Sequence, residues 1–305
     1  MITYNPATLT PIQMLRLLQG TVMPRPVALV STLNRQGYPA LFPCSYYTIA
    51  GSDPGTLVFS PVRNRKDPSA KDTILNIKEI PEVVINAVSY RMVEQANLAG
   101  HEFARATDAF LKAGFTALPS EKVRPFRIQE SPVHFECAVK QVVETGKPGA
   151  ADMLIICEVL LIHIDDSAID SQGRTNPDKL DVVGRMGGDV YVKASGKALF
   201  RVRELHGKSC AGVDAFPEEV RMSSILTGND LGRLGSCDHL PSAPEVLKVM
   251  KSEMFNRWVI RSQGSRETLI SIVHSAAREL IARNEIFEAA GILLASSRWA
   301  GKDQA

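Results

Sequence analysis

Cysteine is scarce and poorly arranged for crosslinking: the 305 residues hold five, Cys44, Cys137, Cys157, Cys210 and Cys237, an odd number without a C-x-x-C pair. A chain this long can bury a core without staples, so a disulfide framework is excluded and a reducing cytoplasm is the expected setting. There is no apolar run of about 18 residues, and the first twenty residues contain no basic stretch followed by an apolar one. Neither a membrane span nor a signal peptide is expected. The six histidines include no H-x-x-x-H, and Cys237-Asp238-His239 is a lone cluster in a polar loop, so no metal site is expected. An excess of charge is also missing, with 35 Lys and Arg against 33 Asp and Glu. That balance argues against nucleic acid or an anionic membrane as a partner.

Several catalytic signatures fail on spacing. Gly207-Lys208-Ser209 resembles the end of a phosphate-binding P-loop, but Val202 stands where that motif needs its first glycine. Gly184-Arg-Met-Gly187-Gly188 lacks the G-x-G-x-x-G spacing of a dinucleotide fold and follows no βαβ pattern. No G-x-S-x-G elbow occurs. Kinase, Rossmann and serine hydrolase readings therefore have no specific support.

What remains is an ordinary globular composition, 45% apolar and 22% charged, in two differently built parts. Residues 1–204 read mainly as strands. Arg25 to Thr32 is apolar and β-branched, turns through Asn34–Gly37 and resumes over Tyr38–Phe42, the pattern of an antiparallel pair. Further strands are expected over Thr56–Ser60, Glu82–Ser89, Val133–Val143 and Met153–Ile164. Many strands with few helices between them favour a barrel over a doubly wound sheet. Cys137, Cys157 and His163 lie inside these strands and read as core or sheet residues.

Between two strands, Ser60-Pro-Val-Arg-Asn-Arg-Lys-Asp-Pro-Ser-Ala-Lys-Asp-Thr73 is rich in cations, and Ser69 with Asp72 has the spacing of a helix cap. Ile74, Leu75 and Ile77 then give an apolar face to about Ile80. A helix start flanked by Arg63, Arg65, Lys66 and Lys71 has the ingredients of a phosphate site. The same pattern fits a solvated basic loop capped only for helix stability, and spacing does not choose between them.

Residues 205–305 read as a linker and a helical extension. Gly207 to Pro244 is rich in Gly, Ser and Pro, with room for one short helix. Ser242 and Glu245 have capping-box spacing, after which Leu247, Met250, Met254 and Trp258 form one stripe and Leu269, Ile272, Val273, Ala276 and Leu280 a second. These stripes read as packing surface.

The ordered segments Pro24-Arg-Pro-Val-Ala-Leu-Val-Ser-Thr32, Pro43-Cys-Ser-Tyr-Tyr47, Val58-Phe-Ser-Pro61, Lys71-Asp-Thr73, Val83-Val-Ile-Asn86, Gly114-Phe-Thr116, Glu130-Ser-Pro132 and Arg185-Met-Gly-Gly-Asp-Val-Tyr191 resemble the flavin reductase-like proteins. The resemblance spans about residues 20 to 195 and implies an FMN-binding split β-barrel, mainly β with helices, to which the C-terminal α-helical extension read above is added. It places Ser45, Tyr46, Tyr47 and Thr48 along the isoalloxazine ring and Ser60 and Pro61 on the next flavin-facing strand. Lys71, Asp72 and Thr73 fall where the family holds the FMN phosphate, which favours the phosphate reading of the basic loop, and Asn86 falls near the ring. Arg25 and Arg185 also match family motifs. The implied assembly is a homodimer with the flavin near the subunit interface.

On this resemblance the chain is expected to be an FMN-dependent oxidoreductase that reduces flavin or a small acceptor with NADH or NADPH. A non-enzymatic FMN-binding electron carrier or sensor would use the same residues. Two features depart from the family pattern: the tyrosine pair Tyr46-Tyr47, where relatives often carry Phe or Asn, and the roughly 100 residues after Arg203, which the minimal domain lacks.

Overall fold

A computed structural model describes residues 1–61, 68–101, 103, 107–145 and 153–299, with the side chains of 68–71 outside the description. The chain divides into two units, Met1–Phe200 and Arg201–Ala305. The first begins with helix α1 (Pro11–Thr21), followed by β1 (Arg25–Pro26), β2 (Ala28–Leu33), β3 (Pro39–Cys44), β4 (Tyr47–Ser52) and β5 (Gly55–Phe59). Helix α2 (Pro68–Glu79) leads to β6 (Glu82–Ala87), and the short helices α3 (Val93–Leu98) and α4 (Ala109–Ala113) precede β7 (Ala117–Leu118) and β8 (Arg127–Ile128). The long hairpin β9 (Val133–Glu144) and β10 (Met153–Ile164), helix α5 (Pro177–Leu180), and strands β11 (Val183–Gly187) and β12 (Val190–Lys193) complete it.

Seven of these strands form one sheet in the order β3-β2-β6-β9-β10-β5-β4, and β1-β11-β12 form a smaller one. The pairings in both are antiparallel. The two edges of the large sheet, β3 and β4, are joined through Ser45 and Tyr46 alone. Three Cα steps reach no further than about 11 Å, so the sheet must curl until its edges nearly meet. They do not pair with each other, and the result is a split barrel, as the family resemblance implies.

Period-two alternation decides what faces inward. Ala28 and Val30, Phe42 and Cys44, Leu57 and Phe59, Val83 and Ile85, and Ile155 and Cys157 fill the barrel, joined by Ile74 and Ile77 from α2. The intervening residues Val27, Leu29 and Leu41 face outward onto α3 and α4 through Met92, Ala96 and Phe110. Strand β2 is therefore buried on both faces, which explains its nearly continuous apolar sequence. Cys137 and Cys157 are core residues, as expected, and His163 lies in the sheet.

Beside the barrel core, one carboxylate holds an irregular segment in place. Glu136, fully buried on β9, accepts backbone N–H bonds from Glu121 at 3.0 Å and Lys122 at 2.6 Å, and His163 Nε2 lies 2.8 Å from it. The segment between β7 and β8 is thereby tied to the sheet.

In the second unit α6 (Glu218–Arg221), α7 (Gly228–Gly235), α8 (Ala243–Met250), α9 (Glu253–Arg261), α10 (Arg266–Ala282) and α11 (Ile286–Arg298) surround a core of their own. The expected stripe from Leu247 to Trp258 belongs to two helices, because Ser252 caps a new one by accepting the Phe255 N–H at 3.2 Å. Helix α11 carries no sequence stripe, since Ala289 to Ser296 are all buried, and a helix enclosed on every side has no polar face to mark its period.

Candidate functional site

The site begins at the split between the barrel edges. Tyr47 pairs with Phe59 and Thr48 with Val58 across β4 and β5, and the Ser60 N–H donates to the Tyr46 carbonyl at 2.9 Å. This links the Ser45–Thr48 stretch to the end of β5, where Ser60 and Pro61 stand. The Cys44 thiol lies 3.5 Å from both the Tyr46 and the Ser60 carbonyls. Burial pushes that thiol up to about 12, so it is a neutral strut and not a nucleophile. Burial, with Cys44 beside it, also raises the Tyr47 phenol above its ordinary value, which keeps it protonated. Ser45 is buried and Thr48 exposed.

Helix α2 brings the third segment. Ile74 and Ile77 share the apolar cluster of Cys44 and Phe59, against which Tyr46 and Tyr47 also pack. The turn, the end of β5 and α2 thus converge on one patch of core. Asn76 donates from Nδ2 to Thr32 Oγ1 at 3.1 Å and pins the helix to β2. The helix starts at Pro68, so Ser69 is its second residue and not the cap that its spacing to Asp72 suggested. Proline suits the first position because its fixed φ is helical and its missing N–H is not needed there. The N–H groups that a helix start leaves without intrahelical acceptors are consequently those of Ser69 and Ala70. Thr73 lies beyond the first turn with its side chain buried, Asp72 is half-buried, and the Lys71 side chain lies outside the description, as do Arg63, Arg65 and Lys66. A cleft of about 40 Å³ runs along the edge strand β3, lined by Asp72, Asn76, Tyr38, His101 and Phe103.

Asn86, expected near the ring, and Arg185, expected from its family motif, both have partners within the barrel unit. Asn86 is fully buried, and its Nδ2 donates to the carbonyls of Leu29 at 2.9 Å and Val84 at 3.2 Å while Oδ1 accepts the Ile128 N–H at 3.1 Å. Both amide hydrogens are occupied in cross-linking β2, β6 and β8, and none is left for a ring. Arg185 donates to the Gly188 carbonyl at 2.9 Å and stacks 5.6 Å over Tyr191, within the β11–β12 hairpin.

Residues that motif reading did not assign cluster round Tyr46. Gln19, near the end of α1, donates from Nε2 to Tyr46 Oη at 2.6 Å, and the Arg25 guanidinium lies 5.6 Å over the Tyr46 ring. The signal for α1 was available in Thr10 and Gln13, whose capping box starts it. Gly187 permits the close approach of β11 to this helix: a Cβ there would meet the Gln19 carbonyl at 3.1 Å, with φ at +120°.

The family model of the flavin reductase like domain matches residues 20–176, just over half of the chain, and the chain belongs to that family. An uncharacterized protein of Aquifex aeolicus is 36% identical over 187 residues, covering 61% of this chain and 93% of its own length. Among solved structures, Pseudomonas fluorescens 2-nitrobenzoate 2-nitroreductase is 28% identical with a TM-score of 0.58, over 66% of this chain and 96% of that one. Component B of nitrilotriacetate monooxygenase from Bacillus cereus is 25% identical with a TM-score of 0.61, over 66% of this chain and 98% of that one. The two structures leave about a third of this chain uncovered, the Aquifex aeolicus protein rather more, and the family model nearly half. No helix among the described residues is long and apolar enough to cross a membrane.

Proposed function

We propose that the protein is a cytoplasmic, homodimeric FMN-dependent oxidoreductase that takes hydride from NADH or NADPH and passes it to free flavin or a small acceptor. The observation that carries this reading is the convergence of the β3–β4 turn, the end of β5 and α2 on one apolar patch, through Tyr46, Tyr47, Phe59, Ile74 and Ile77, in a chain of the flavin reductase-like family. That the similar structures include a nitroreductase and a monooxygenase component supports it.

FMN, when bound, supplies the hydride chemistry itself. The tasks of the protein are to bind, orient and exclude water. Tyr46 and Tyr47, both partly exposed, would supply walls, backed by the buried Phe59. Ser45 and the backbone of the turn would supply hydrogen bonds to the ring, while the start of α2, with Lys71, would receive the phosphate; Thr73, buried beyond the first turn, would support that end of the helix from within. No side chain has to act as an acid or base, so no proton-transfer residue is assigned.

The test is the visible spectrum of the purified, FMN-loaded protein followed by anaerobic addition of NADH or NADPH. Bleaching of the bound flavin at a saturable rate is expected. A stable yellow protein that neither nucleotide bleaches would instead be an electron carrier or sensor, and a protein that takes up no FMN would refute the reading.

A further inference from the structure

Arg25 is a buried cation without an anion. It is 6% exposed, and its Nη1 donates to the Gln19 carbonyl at 2.6 Å and to the Val22 carbonyl, the last turn of α1. Its Nε is buried with no hydrogen-bond partner, and no carboxylate pairs with it among the described residues. A guanidinium in this state is unfavourable unless a negative charge is nearby. Arg25 also lies over the Tyr46 ring, 5.6 Å from its centre, and is paired across β1 and β11 with Arg185.

The hydrogen bonding of Tyr46 gives that charge a direction. Gln19 Nε2 donates to Tyr46 Oη, so the phenol oxygen acts as an acceptor from Gln19 and keeps its own hydrogen to donate elsewhere. The cation over the ring draws electron density from the phenol and strengthens that donation. Tyr46 itself sits in the turn between the barrel edges, bonded through its carbonyl to Ser60.

We propose that Gln19 and Arg25 are positioning residues that orient and polarise Tyr46 so that its hydroxyl donates to the electron-rich pyrimidine side of the flavin, preferring the reduced form of the cofactor. This rests on the FMN reading above and adds to it a role for α1, which supplies Gln19 directly and is held to Arg25 through its final carbonyls. With the cofactor seated on the Tyr46 hydroxyl, the charge of Arg25 would act through the ring on the negative charge that collects on reduction.

The effect is a difference between two affinities, which separates it from a structural role. A residue that only supports the pocket strengthens binding of both redox states equally and leaves the midpoint potential of bound FMN unchanged. One that donates to the reduced ring raises the potential. The full-length protein loaded with FMN is compared with its Tyr46→Phe, Gln19→Leu, Arg25→Lys and Arg25→Gln variants, measuring the Kd for oxidised FMN by fluorescence quenching and the potential by dye equilibration.

Tyr46→Phe is expected to leave the Kd of oxidised FMN within about threefold and to weaken binding of the reduced form about tenfold, lowering the potential by about 30 mV for a two-electron couple. Arg25→Gln should lower it in the same direction, Arg25→Lys should restore most of it, and adding Arg25→Gln to Tyr46→Phe should give little further shift. Tyr46→Phe keeps the ring in place, so it tests the idea even if Arg25→Gln does not fold. Equal weakening of both redox states in Tyr46→Phe, with an unchanged potential, overturns the proposal and leaves the FMN reading intact. If the unaltered protein binds no FMN, the FMN reading fails, and this proposal fails with it.

Discussion

The two units bury polarity very differently. In the barrel unit, Arg25, Thr32, Asn76, Asn86, His134 and Glu136 are buried side chains set among apolar neighbours, whereas the buried polar side chains of the helical unit are Ser262, His274 and Ser296. Ser262 and Ser296 bond back to carbonyls of their own helices, at 2.8 and 2.9 Å. A core of leucines and alanines needs only volume and period, while the barrel places hydrogen-bonding groups at defined points and satisfies most of them, leaving Arg25 Nε, Ser31 Oγ, Asn76 Oδ1 and His134 Nδ1 without a partner among the described residues. The helical unit thus reads as a packing solution, and the barrel as a scaffold that holds polar groups in fixed orientations.

The largest expected effect breaks the helical side of this contrast. Leu269 of α10 is fully buried, and Leu269→Ala should destabilise its unit by about 2–5 kcal/mol. Trp258 and Trp299, the two tryptophans of the chain, both lie in that unit, so denaturation followed by tryptophan fluorescence reports on it. The fluorescence transition should move to lower denaturant while FMN release from the same sample does not. A common shift of both signals would show that the units unfold as one.

Glu136→Gln tests the barrel side. The bonds from Glu121, Lys122 and His163 to a charged acceptor are lost or weakened, a loss of about 2–3 kcal/mol. Burial opposes the charge of Glu136, but those two backbone N–H groups and the His163 ring outweigh it and hold the carboxyl below its ordinary value of 4.5. A depressed native value stabilises the fold above the unfolded value and loses that contribution as pH falls through the native one. The stability gap between the protein and its Glu136→Gln variant should therefore be constant near neutrality and narrow below about pH 4.5. A gap that does not change with pH would mean that the carboxylate charge plays no part in holding the segment.

At the site, Lys71→Ala should weaken FMN binding about ten- to a hundredfold, the effect of losing a charged hydrogen bond, and leave riboflavin affinity nearly unchanged. Thr73→Val should have a smaller effect, because the Thr73 side chain is buried beyond the first turn of α2 and only its hydroxyl is removed. Both are read by fluorescence quenching with the two flavins in parallel. Equal loss for riboflavin and FMN would remove the phosphate from this end of α2.

Much of the barrel was legible because a half-buried strand writes its period into the sequence: β9 and β10 were anticipated to within a residue at their ends. The start of α2 was not, since Ser69 and Asp72 mimic a cap while Pro68 already serves as the first helical residue. Enclosure on all sides hid α11, and the serine that begins α9 divided what reads as one stripe. Asn86 shows the limit at the site. A motif places a residue on a strand, but the partners that occupy its amide come from β2 and β8, distant in sequence, and only the fold reveals them. The support of Tyr46 was equally hidden, because Gln19 precedes it by 27 residues and becomes its neighbour only when α1 is set beside the barrel.

The interior thiols give the barrel a built-in clock. Cys44, Cys137 and Cys157 are enclosed in its core, while Cys210 is exposed. A thiol reagent should therefore label Cys210 at once and the barrel thiols only when the strands part. Cys44 stands beside the unpaired junction of β3 and β4, so its labelling rate measures how often the barrel opens along its split. A ligand seated in that junction should slow Cys44 more than it slows Cys137, which makes the seam readable by mass spectrometry without any optical signal from the ligand.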